Sequence, residues 1–368
     1  MSKAKIVKSE INRTTPYITG VMVIHAEGGF LNGAGLGTGE DRNKSIVKTY
    51  WRNKHIPYVS SQAWRRWLRN TLIEETGYPQ SEVEAVAWNK EGNTSKVAGQ
   101  LDPITYVEDD VFGYMFAKSK PRKKEEKEEK EDQMKRRLPE VQLVRTSPFK
   151  SSILRGVADL VHLAEDEGYV HLKNDTPLPY TTQFYSGELT ALFGLEVFRI
   201  GVFEKKGKIS EELDPYLVKE HKTELENLTH PIYAKGTLVK RNNLHEYQNT
   251  VTGNVLKAIA RLRGGSKLTQ FGVDVSPRLL IMAGIKTGNL LFDDLLVSVE
   301  GKPALNIEAL KEIVSDYSEY FTTPIHIGLR AGYLSNEAEI KALSLIKSVQ
   351  IIHGTPIEIA TLLGNDLK

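Results

Sequence analysis

The 368-residue chain contains no cysteine. Disulfides, thiolate zinc sites, iron–sulfur clusters and cysteine nucleophiles are therefore excluded, and the composition fits a reducing cytoplasm. No run of about 18 uncharged apolar residues is present, and the nearest stretch, residues 278–299, carries Lys286, Asp293 and Asp294. Residues 1–13 lack the apolar segment of a signal peptide. The sequence therefore predicts a cytoplasmic protein with no membrane partner.

Nucleotide-binding motifs are also missing. Residues 28–39 contain six glycines, which suggests a phosphate-binding loop. However, Ala34 stands where a Walker motif needs lysine, and Thr38 stands where a dinucleotide fingerprint needs glycine. The segment is interpreted either as a mobile loop or as backbone that approaches a ligand closely.

Catalytic and metal-binding signatures are equally scarce. None of the nine histidines lies three or four residues from another, which argues against helical metal ligation. Asp109 and Asp110 could ligate a cation or act in catalysis, but adjacent carboxylates beside a strand, here predicted over residues 111–117, are typical of a solvated turn. The sequence predicts no catalytic residue, no metal and no cofactor.

Charge is balanced overall but unevenly distributed. The chain has 49 Lys and Arg against 47 Asp and Glu. Residues 42–69 nevertheless hold eight basic and no acidic residues, which creates a local positive field. Residues 118–137 hold ten basic and six acidic residues, and this composition predicts a solvated insertion without a core.

The basic segment follows a predicted buried strand at residues 17–26. It forms a predicted hairpin over residues 45–60, and then a helix from about residue 60 to 75. At about 100° per residue, one arc of this helix is apolar and the opposite arc is cationic. The apolar arc holds Trp64, Trp67, Leu68 and Leu72, whereas the cationic arc holds Arg65, Arg66 and Arg69. The tryptophans are assigned to the core, while three arginines without nearby acids indicate contact with a polyanion.

Aromatic and polar residues accompany these cations, as expected of a groove for nucleic acid. Asn32, Ser61 and Gln62 add uncharged hydrogen-bonding groups near a helix N-terminus, where phosphate is favoured. A second basic cluster combines Lys257, Arg261, Arg263 and Lys267 with the adjacent glycines Gly264 and Gly265. A third, Arg145 with Lys150, flanks a predicted hairpin tip.

Four stretches resemble one family of proteins. They are residues 19–35 (TGVMVIHAEGGFLNGAG), 42–69 (RNKSIVKTYWRNKHIPYVSSQAWRRWLR), 109–117 (DDVFGYMFA) and 261–284 (RLRGGSKLTQFGVDVSPRLLIMAG). They are similar to the DevR-type, type I-B group of CRISPR-associated "Cas-seven" backbone subunits. The resemblance extends to about residue 300.

This resemblance implies an α+β fold. Residues 1–117 and 180–300 would form a discontinuous palm like a ferredoxin or RNA-recognition motif. Residues 118–179 would hold the charged insertion and a thumb hairpin, and residues 301–368 a C-terminal α/β extension. Copies would stack head-to-tail along guide RNA (crRNA) in a Cascade complex with other subunits, and would present the guide for pairing with target DNA without catalysis.

The resemblance and the basic clusters together give a set of predicted RNA-binding residues. They are Asn32, Arg42, Lys44, Ser61, Gln62, Arg65, Arg66, Arg69, Arg145, Lys150, Arg263, Gly264, Gly265 and Lys267.

Two other functions are considered. An RNA-processing endoribonuclease on the same fold would need a general base near the basic groove, where His25 and His55 are the only nearby histidines. A regulator that binds duplex DNA would need a helix-turn-helix pattern, and none is found.

Overall fold

The computed structural model describes residues 13–36, 43–88, 93–117, 137–205, 211–229 and 237–367. These residues form two compact units. The first unit comprises Arg13 and the described residues of Thr76–Phe149 and Glu196–Val251. The second comprises those of Thr14–Glu75, Lys150–Leu195 and Thr252–Lys368. Along the chain, the first unit therefore interrupts the second twice.

The fold is mixed α/β. Up to residue 116 the elements are β1 (Tyr17–Gly29), β2 (Gly33–Leu36), β3 (Lys44–Val47), β4 (Thr49–Arg52), β5 (Lys54–Val59), α1 (Ser61–Thr76), β6 (Glu84–Trp88), β7 (Thr94–Ala98), α2 (Val107–Phe112) and β8 (Tyr114–Phe116). From residue 143 to 260 they are β9 (Leu143–Arg145), β10 (Phe149–Ser151), β11 (Leu154–Val170), β12 (Leu178–Glu196), β13 (Val202–Lys205), α3 (Pro215–Glu220), β14 (Leu225–Thr229), β15 (Thr237–Arg241) and α4 (Leu244–Ala260). The remainder is α5 (Leu268–Phe271), β16 (Leu279–Ile285), β17 (Leu296–Val299), β18 (Lys302–Leu305), α6 (Ile307–Asp316), β19 (Ile325–Leu329), α7 (Glu337–Ala342), β20 (Leu345–Ile346), β21 (Val349–Gly354) and α8 (Pro356–Asp366).

The elements around the basic segment agree with the sequence patterns. The predicted strand at residues 17–26 is confirmed as β1, and the predicted helix is confirmed as α1. Strands β4 and β5 form the predicted hairpin, and Asn53 turns it in a left-handed conformation, with φ of 61°. The strand predicted over residues 111–117 is wrong at its start, because residues 107–112 are helical and only Tyr114–Phe116 is a strand.

The second unit is built on a large mixed sheet with the order β20-β21-β19-β16-β1-β12-β11-β5-β4. Strand β1 lies inside it and runs antiparallel to β16, with Tyr17 opposite Ile285 and Val23 opposite Leu279. Seven consecutive residues of β1, from Ile18 to Ile24, are buried. Because successive side chains point to opposite faces of a strand, this run shows that both faces of the sheet are covered there.

One face carries an apolar core that the C-terminal third of the chain helps to build. Val21 and Val23 of β1 belong to the same buried cluster as Ile281 of β16, Leu310 of α6 and Ile340 of α7. On β19, Gly328 leaves room for helix α8, because a Cβ there would lie 2.7 Å from Ile359. Residues 301–367 therefore lie within the second unit.

The first unit contains a buried ionic cluster around Arg145. The Arg145 side chain is 0% exposed, pairs with Asp110, and lies 3.3 Å from Glu212. Burial alone would lower the pKa of Arg145, but the charges of Asp110 and Glu212 outweigh it, so the pKa is raised. Asp110 also accepts hydrogen bonds from the backbone N–H of Gly201 at 2.9 Å and from the Tyr247 hydroxyl at 3.0 Å. The cluster holds α2, β9 and the start of β13 together.

The paired acids at residues 109–110 are therefore not a solvated turn, as the sequence suggested. Asp109 is 4% exposed and accepts hydrogen bonds from the Ser81 hydroxyl and from the backbone N–H of Asp102, both at 3.0 Å. Asp110 is 0% exposed. Both carboxylates are buried and hydrogen-bonded within the first unit. Their place in the structure explains why the two acids are adjacent, without a catalytic role.

Arg145→Met should strongly destabilise the protein. The substitution removes the arginine that pairs with the buried carboxylate of Asp110, and it leaves Glu212 with Arg199, 3.1 Å away, as its remaining partner. Breaking the buried pair should cost about 3–5 kcal/mol of unfolding free energy. Arg155→Met is the matched control, because Arg155 pairs with Asp293 and Asp294, which are 53% and 75% exposed. Its loss should cost less than about 1 kcal/mol. Urea unfolding measures both, and equal small losses would contradict the buried cluster.

Candidate nucleic-acid interface

Helix α1 turns its tryptophans inward. Trp64 is 0% exposed and donates its indole N–H to the carbonyl oxygen of Ser152 at 2.8 Å. Trp67 is 9% exposed, and Leu68 and Leu72 are both 0% exposed. These four side chains fix the rotation of the helix, so that Arg65, Arg66 and Arg69 lie on its other side.

These three arginines, called the arginine face below, carry the strongest candidate for an anion-binding surface. Arg66 is exposed, while Arg65 and Arg69 are half-buried. Burial lowers the pKa of Arg65, and the neighbouring charge of Arg69 lowers it further. Desolvation and the like charge of Arg69 therefore both disfavour the cationic form of Arg65.

The start of α1 is anchored by the loop that follows β1. The Ser60 hydroxyl accepts a hydrogen bond from the backbone N–H of Ala63 at 3.3 Å, as an N-cap does. Asn32 accepts the Ser60 backbone N–H on its side-chain oxygen at 2.9 Å, and the Lys48 backbone N–H on its carbonyl oxygen at 2.9 Å. Asn32 therefore positions the helix start, where Ser61 is half-buried and Gln62 exposed.

The glycines of the second cluster pack against this same region. Gly264 has φ of 154°, and a Cβ there would lie 2.2 Å from Trp67 Cγ. Gly265 has φ of 126°, and a Cβ there would lie 2.9 Å from Leu31. The next residue, Ser266, donates its backbone N–H to the carbonyl oxygen of Leu31 at 3.1 Å. Only glycine permits this approach, so the segment packs against the buried side of α1 and lies beside Leu31, the residue that precedes Asn32.

Lys267 continues the segment in a left-handed conformation, with φ of 50°. Its Nζ lies 4.7 Å from the centre of the Phe30 ring and 3.5 Å from the Thr182 hydroxyl. The residue is exposed. Its charge therefore stands at the surface beside an aromatic ring.

An aromatic cluster beside Lys267 was missed by the sequence analysis. The rings of Phe30 and Phe271 stack with centroids 6.4 Å apart, and Phe184 lies 5.8 Å from Phe271. Phe184 and Phe271 are half-buried. The three rings come from distant parts of the chain, so no local spacing could have shown that they meet.

Two predicted cations already have partners within the protein. Lys44 lies 2.6 Å from Glu165. Arg263 lies 3.0 Å from Glu74 and 2.7 Å from Glu75, and the hydrogen bond with Glu75 contributes most to raising the pKa of Arg263. Residues 42–69 contain no acid, but Glu74 and Glu75 lie just beyond them in the chain, and Glu165 reaches Lys44 only through the fold.

The remaining predicted residues lie elsewhere. Arg145 was expected near a hairpin tip, but it is wholly buried with its carboxylates and is not available to a ligand. Lys150 is exposed, near Gly288, where a Cβ would lie 3.6 Å from its Nζ. Arg42 and the charged run at residues 118–136 lie outside the described residues.

His25, a candidate base for the nuclease alternative, is held between carboxylates. Its Nδ1 lies 2.8 Å from Glu188, whose side chain is 7% exposed, and its Nε2 lies 3.3 Å from Glu27. Tyr333 donates its hydroxyl to the other oxygen of Glu188. Among the described residues, no group of three or more His, Asp or Glu side chains is arranged to hold a metal ion. No helix in the described ranges is long and apolar enough to cross a membrane.

Gly264→Ala should destabilise the second unit, because its new methyl group collides with Trp67 at a backbone angle that disfavours alanine. We expect a loss of about 1–3 kcal/mol in unfolding free energy. Gly253→Ala is the control, because that helical glycine has only Gly364 Cα, 4.0 Å away, near an added Cβ. It should be neutral or stabilising by about 0.5–1 kcal/mol. Equal thermal midpoints for the two variants would contradict the close packing at Gly264.

Comparisons with known proteins give a fold likeness only. No family model and no curated protein matches the sequence. A chain of the solved "CRISPR RNA-guided surveillance complex, pre-nicking" is similar at a TM-score of 0.50 and 10% identity, over 95% of this chain and 100% of that one. A chain of another "CRISPR RNA-guided surveillance complex" has a TM-score of 0.48 and 12% sequence identity, and the match covers 95% of this chain and 99% of that one. A chain of the "Type III-B Cmr-beta bound to cognate target RNA" has a TM-score of 0.27 and 11% sequence identity, and the match covers 54% of this chain and 51% of that one.

Proposed function

We propose that the protein is a non-catalytic guide-RNA-binding subunit of a CRISPR surveillance complex. The observation that carries this proposal is the arginine face of α1, a helix whose start is held by the Asn32 loop. The Gly264–Lys267 segment packs against the same loop through Leu31. The fold similarity to a chain of an RNA-guided surveillance complex supports it. The region combines cations, polar groups and half-buried aromatic rings. This combination is typical of proteins that bind single-stranded nucleic acid through its backbone.

Binding of this kind leaves the bases free. Arginine and lysine contact phosphates without reading sequence, so recognition of the target is left to base pairing. We infer that the RNA contacts are Asn32, Arg42, Lys44, Ser61, Gln62, Arg65, Arg66, Arg69, Lys150, Arg263, Gly264, Gly265 and Lys267. Lys44 and Arg263 would have to exchange their present carboxylates for phosphate or share them. Arg145 is left out because it is buried.

The finer assignments belong to this proposal. A ferredoxin-like or RNA-recognition-motif palm is supported by two orders of the same elements. In the chain they follow one another as β1-α1-β11-β12-α4-β16, and in the sheet the four strands lie in the order β16-β1-β12-β11. Membership of the DevR-type, type I-B group rests on the resemblance of the four sequence stretches. Head-to-tail assembly along the guide, other Cascade subunits and pairing with target DNA follow from that resemblance.

Removing the arginine face should weaken RNA binding and flatten its dependence on salt. Each phosphate contact on a single strand contributes about 0.7 to the slope of log K against log salt, so Arg65→Gln, Arg66→Gln and Arg69→Gln together should lower the slope by about 2. Fluorescence anisotropy with labelled single-stranded RNA at several salt concentrations measures the slope.

The control for this experiment removes three exposed charges elsewhere, with Lys302→Gln, Lys341→Gln and Lys347→Gln. Both variants lose the same net charge, so a general field effect would change them equally. A specific interface requires the larger loss of slope in the arginine variant. Equal slopes would show that the arginine face does not hold RNA.

The endoribonuclease alternative gives a different result in a cleavage assay. We expect the protein to shift labelled guide RNA in a gel without cutting it, and His25→Ala and His55→Ala to leave this behaviour unchanged. Fragments that the native protein produces and the His25→Ala variant does not would favour the nuclease, with Glu188 orienting the histidine.

A further inference from the structure

A cleft of about 200 Å³ opens on the first unit. Its walls come from three chain segments: the turn that leads into α2, the residues that follow the charged run, and the start of α3. None of the proposed RNA contacts lines it. The volume is smaller than the roughly 300–1,000 Å³ of a typical small-molecule site, so a single side chain is the better fit.

One part of the cleft already holds a guanidinium group. Arg137 Nη1 lies 2.8 Å from Asp214 Oδ2, and Arg137 Cζ lies 4.3 Å from the centre of the Tyr216 ring. The Asp214 side chain is only 6% exposed, and its other oxygen accepts the backbone N–H of Tyr216 at 3.0 Å. A carboxylate fixed beside an aromatic face attracts a planar cation, and Arg137 shows that this wall accepts one.

A second carboxylate lines the same cleft. Asp102 Oδ1 accepts the backbone N–H groups of Ile104 and Thr105, at 2.9 and 3.1 Å. Among the described residues, no group donates a hydrogen bond to Asp102 Oδ2. The backbone thus fixes the carboxylate through one oxygen, while the other oxygen can accept a hydrogen bond from a ligand.

Packing fixes the turn that presents Asp102. The preceding residue, Leu101, has φ of 61°, a left-handed angle that is unfavourable for a bulky side chain. Its side chain is 3% exposed and packs in an apolar cluster with Phe116 and Leu143. Because this packing holds the backbone in a strained conformation, the position of Asp102 is set before a ligand arrives.

The charge of the lining selects the class of ligand. The lining holds two carboxylates, Asp102 and Asp214, against one cation, Arg137, so the cleft is negative and repels phosphate. Gln100 also lines it, and its side-chain oxygen adds a further acceptor. Acceptors and negative charge together suit a ligand that carries donors and a positive charge. A guanidinium group has five N–H donors and no acceptor.

The apolar part of the lining suits the stem of an arginine side chain. Leu138, Pro139 and Leu217 are half-buried and line the cleft. Arginine places its methylene groups along apolar surface while its charged end stays with polar groups. The incoming charge does not meet an isolated cation, because Arg137 is already paired with Asp214.

We propose that this cleft binds an arginine side chain of a partner protein. The guanidinium group pairs with Asp102, and the aliphatic stem lies along Leu138, Pro139 and Leu217. The inference goes beyond the proposed function and does not depend on it, because none of the proposed RNA contacts takes part.

Peptide binding tests the cleft. The probe is an acetylated and amidated five-residue peptide with one central arginine, and isothermal titration calorimetry measures its affinity. The same peptide with citrulline, the uncharged isostere of arginine, should bind about tenfold more weakly, because the ion pair with Asp102 is lost. Asp102→Asn should weaken binding of the arginine peptide by a similar factor. This variant keeps Oδ1 as the acceptor for Ile104 and Thr105, so its thermal midpoint should match that of the native protein.

The matched control is Glu220→Gln, which removes one negative charge from an exposed residue of α3 that does not line the cleft. It should bind the arginine peptide within about twofold of the native affinity, since an exposed charge outside the cleft is screened by salt. Arg137→Gln gives a second readout. It opens Asp214 and the Tyr216 ring to the peptide, so the affinity should rise about threefold or more.

Three results would overturn the proposal. The first is equal affinity for the arginine and citrulline peptides, or equal affinity of the Asp102→Asn and Glu220→Gln variants. The second is no binding to the native protein up to about 10 mM peptide, which would make the cleft a seat for Arg137 alone. The third concerns labelled single-stranded RNA: binding that falls in Arg137→Gln, and rises more in Asp102→Asn than in Glu220→Gln, would assign the cleft to RNA.

Discussion

The contact of Trp67 with Gly264 is the constraint on which the candidate interface depends. A Cβ at Gly264 would lie 2.2 Å from the indole, so only glycine lets the chain after α4 lie against α1. That approach places Lys267 beside Phe30, next to the loop that holds the start of α1. With Trp64 it also commits one side of α1 to the interior, which leaves the arginines on the other side. Hydrophobic packing thus decides where the cations stand.

Basic residues in this protein serve two different purposes, which burial and nearby acids distinguish. Arg145 is an internal counter-ion, and its fully buried cluster ties α2 to β9 and β13. The arginine face of α1 has the opposite character, because the pKa of Arg65 is lowered by burial and by Arg69. The carboxylates around Arg145 have the reverse effect and raise the pKa of that arginine.

The sequence was most informative where local pattern decides structure. The buried strand β1, the hairpin with its turn at Asn53 and the two-sided helix α1 follow from apolar periodicity and turn residues over short windows. The position of Arg145 could not be predicted, because Glu212 lies far along the chain and local spacing does not show which carboxylates will meet it. The helix at residues 107–112 was missed for a related reason: its acidic residues look solvent-facing unless their partner Ser81 is known. The aromatic rings around Phe271 meet only in the tertiary structure.

The pairing of β1 with β16 has a consequence for biosynthesis. Strand β1 lies between β12 and β16, and Tyr17 lies opposite Ile285, so β12 is available to β1 about 90 residues before β16 is translated. During that interval one edge of β1 stays unpaired, although its residues from Ile18 to Ile24 are buried in the complete sheet. All three chain segments of the first unit precede β16 in the chain. A chaperone that shields the nascent N-terminal strand would therefore improve the yield of folded protein more than one that acts after chain release.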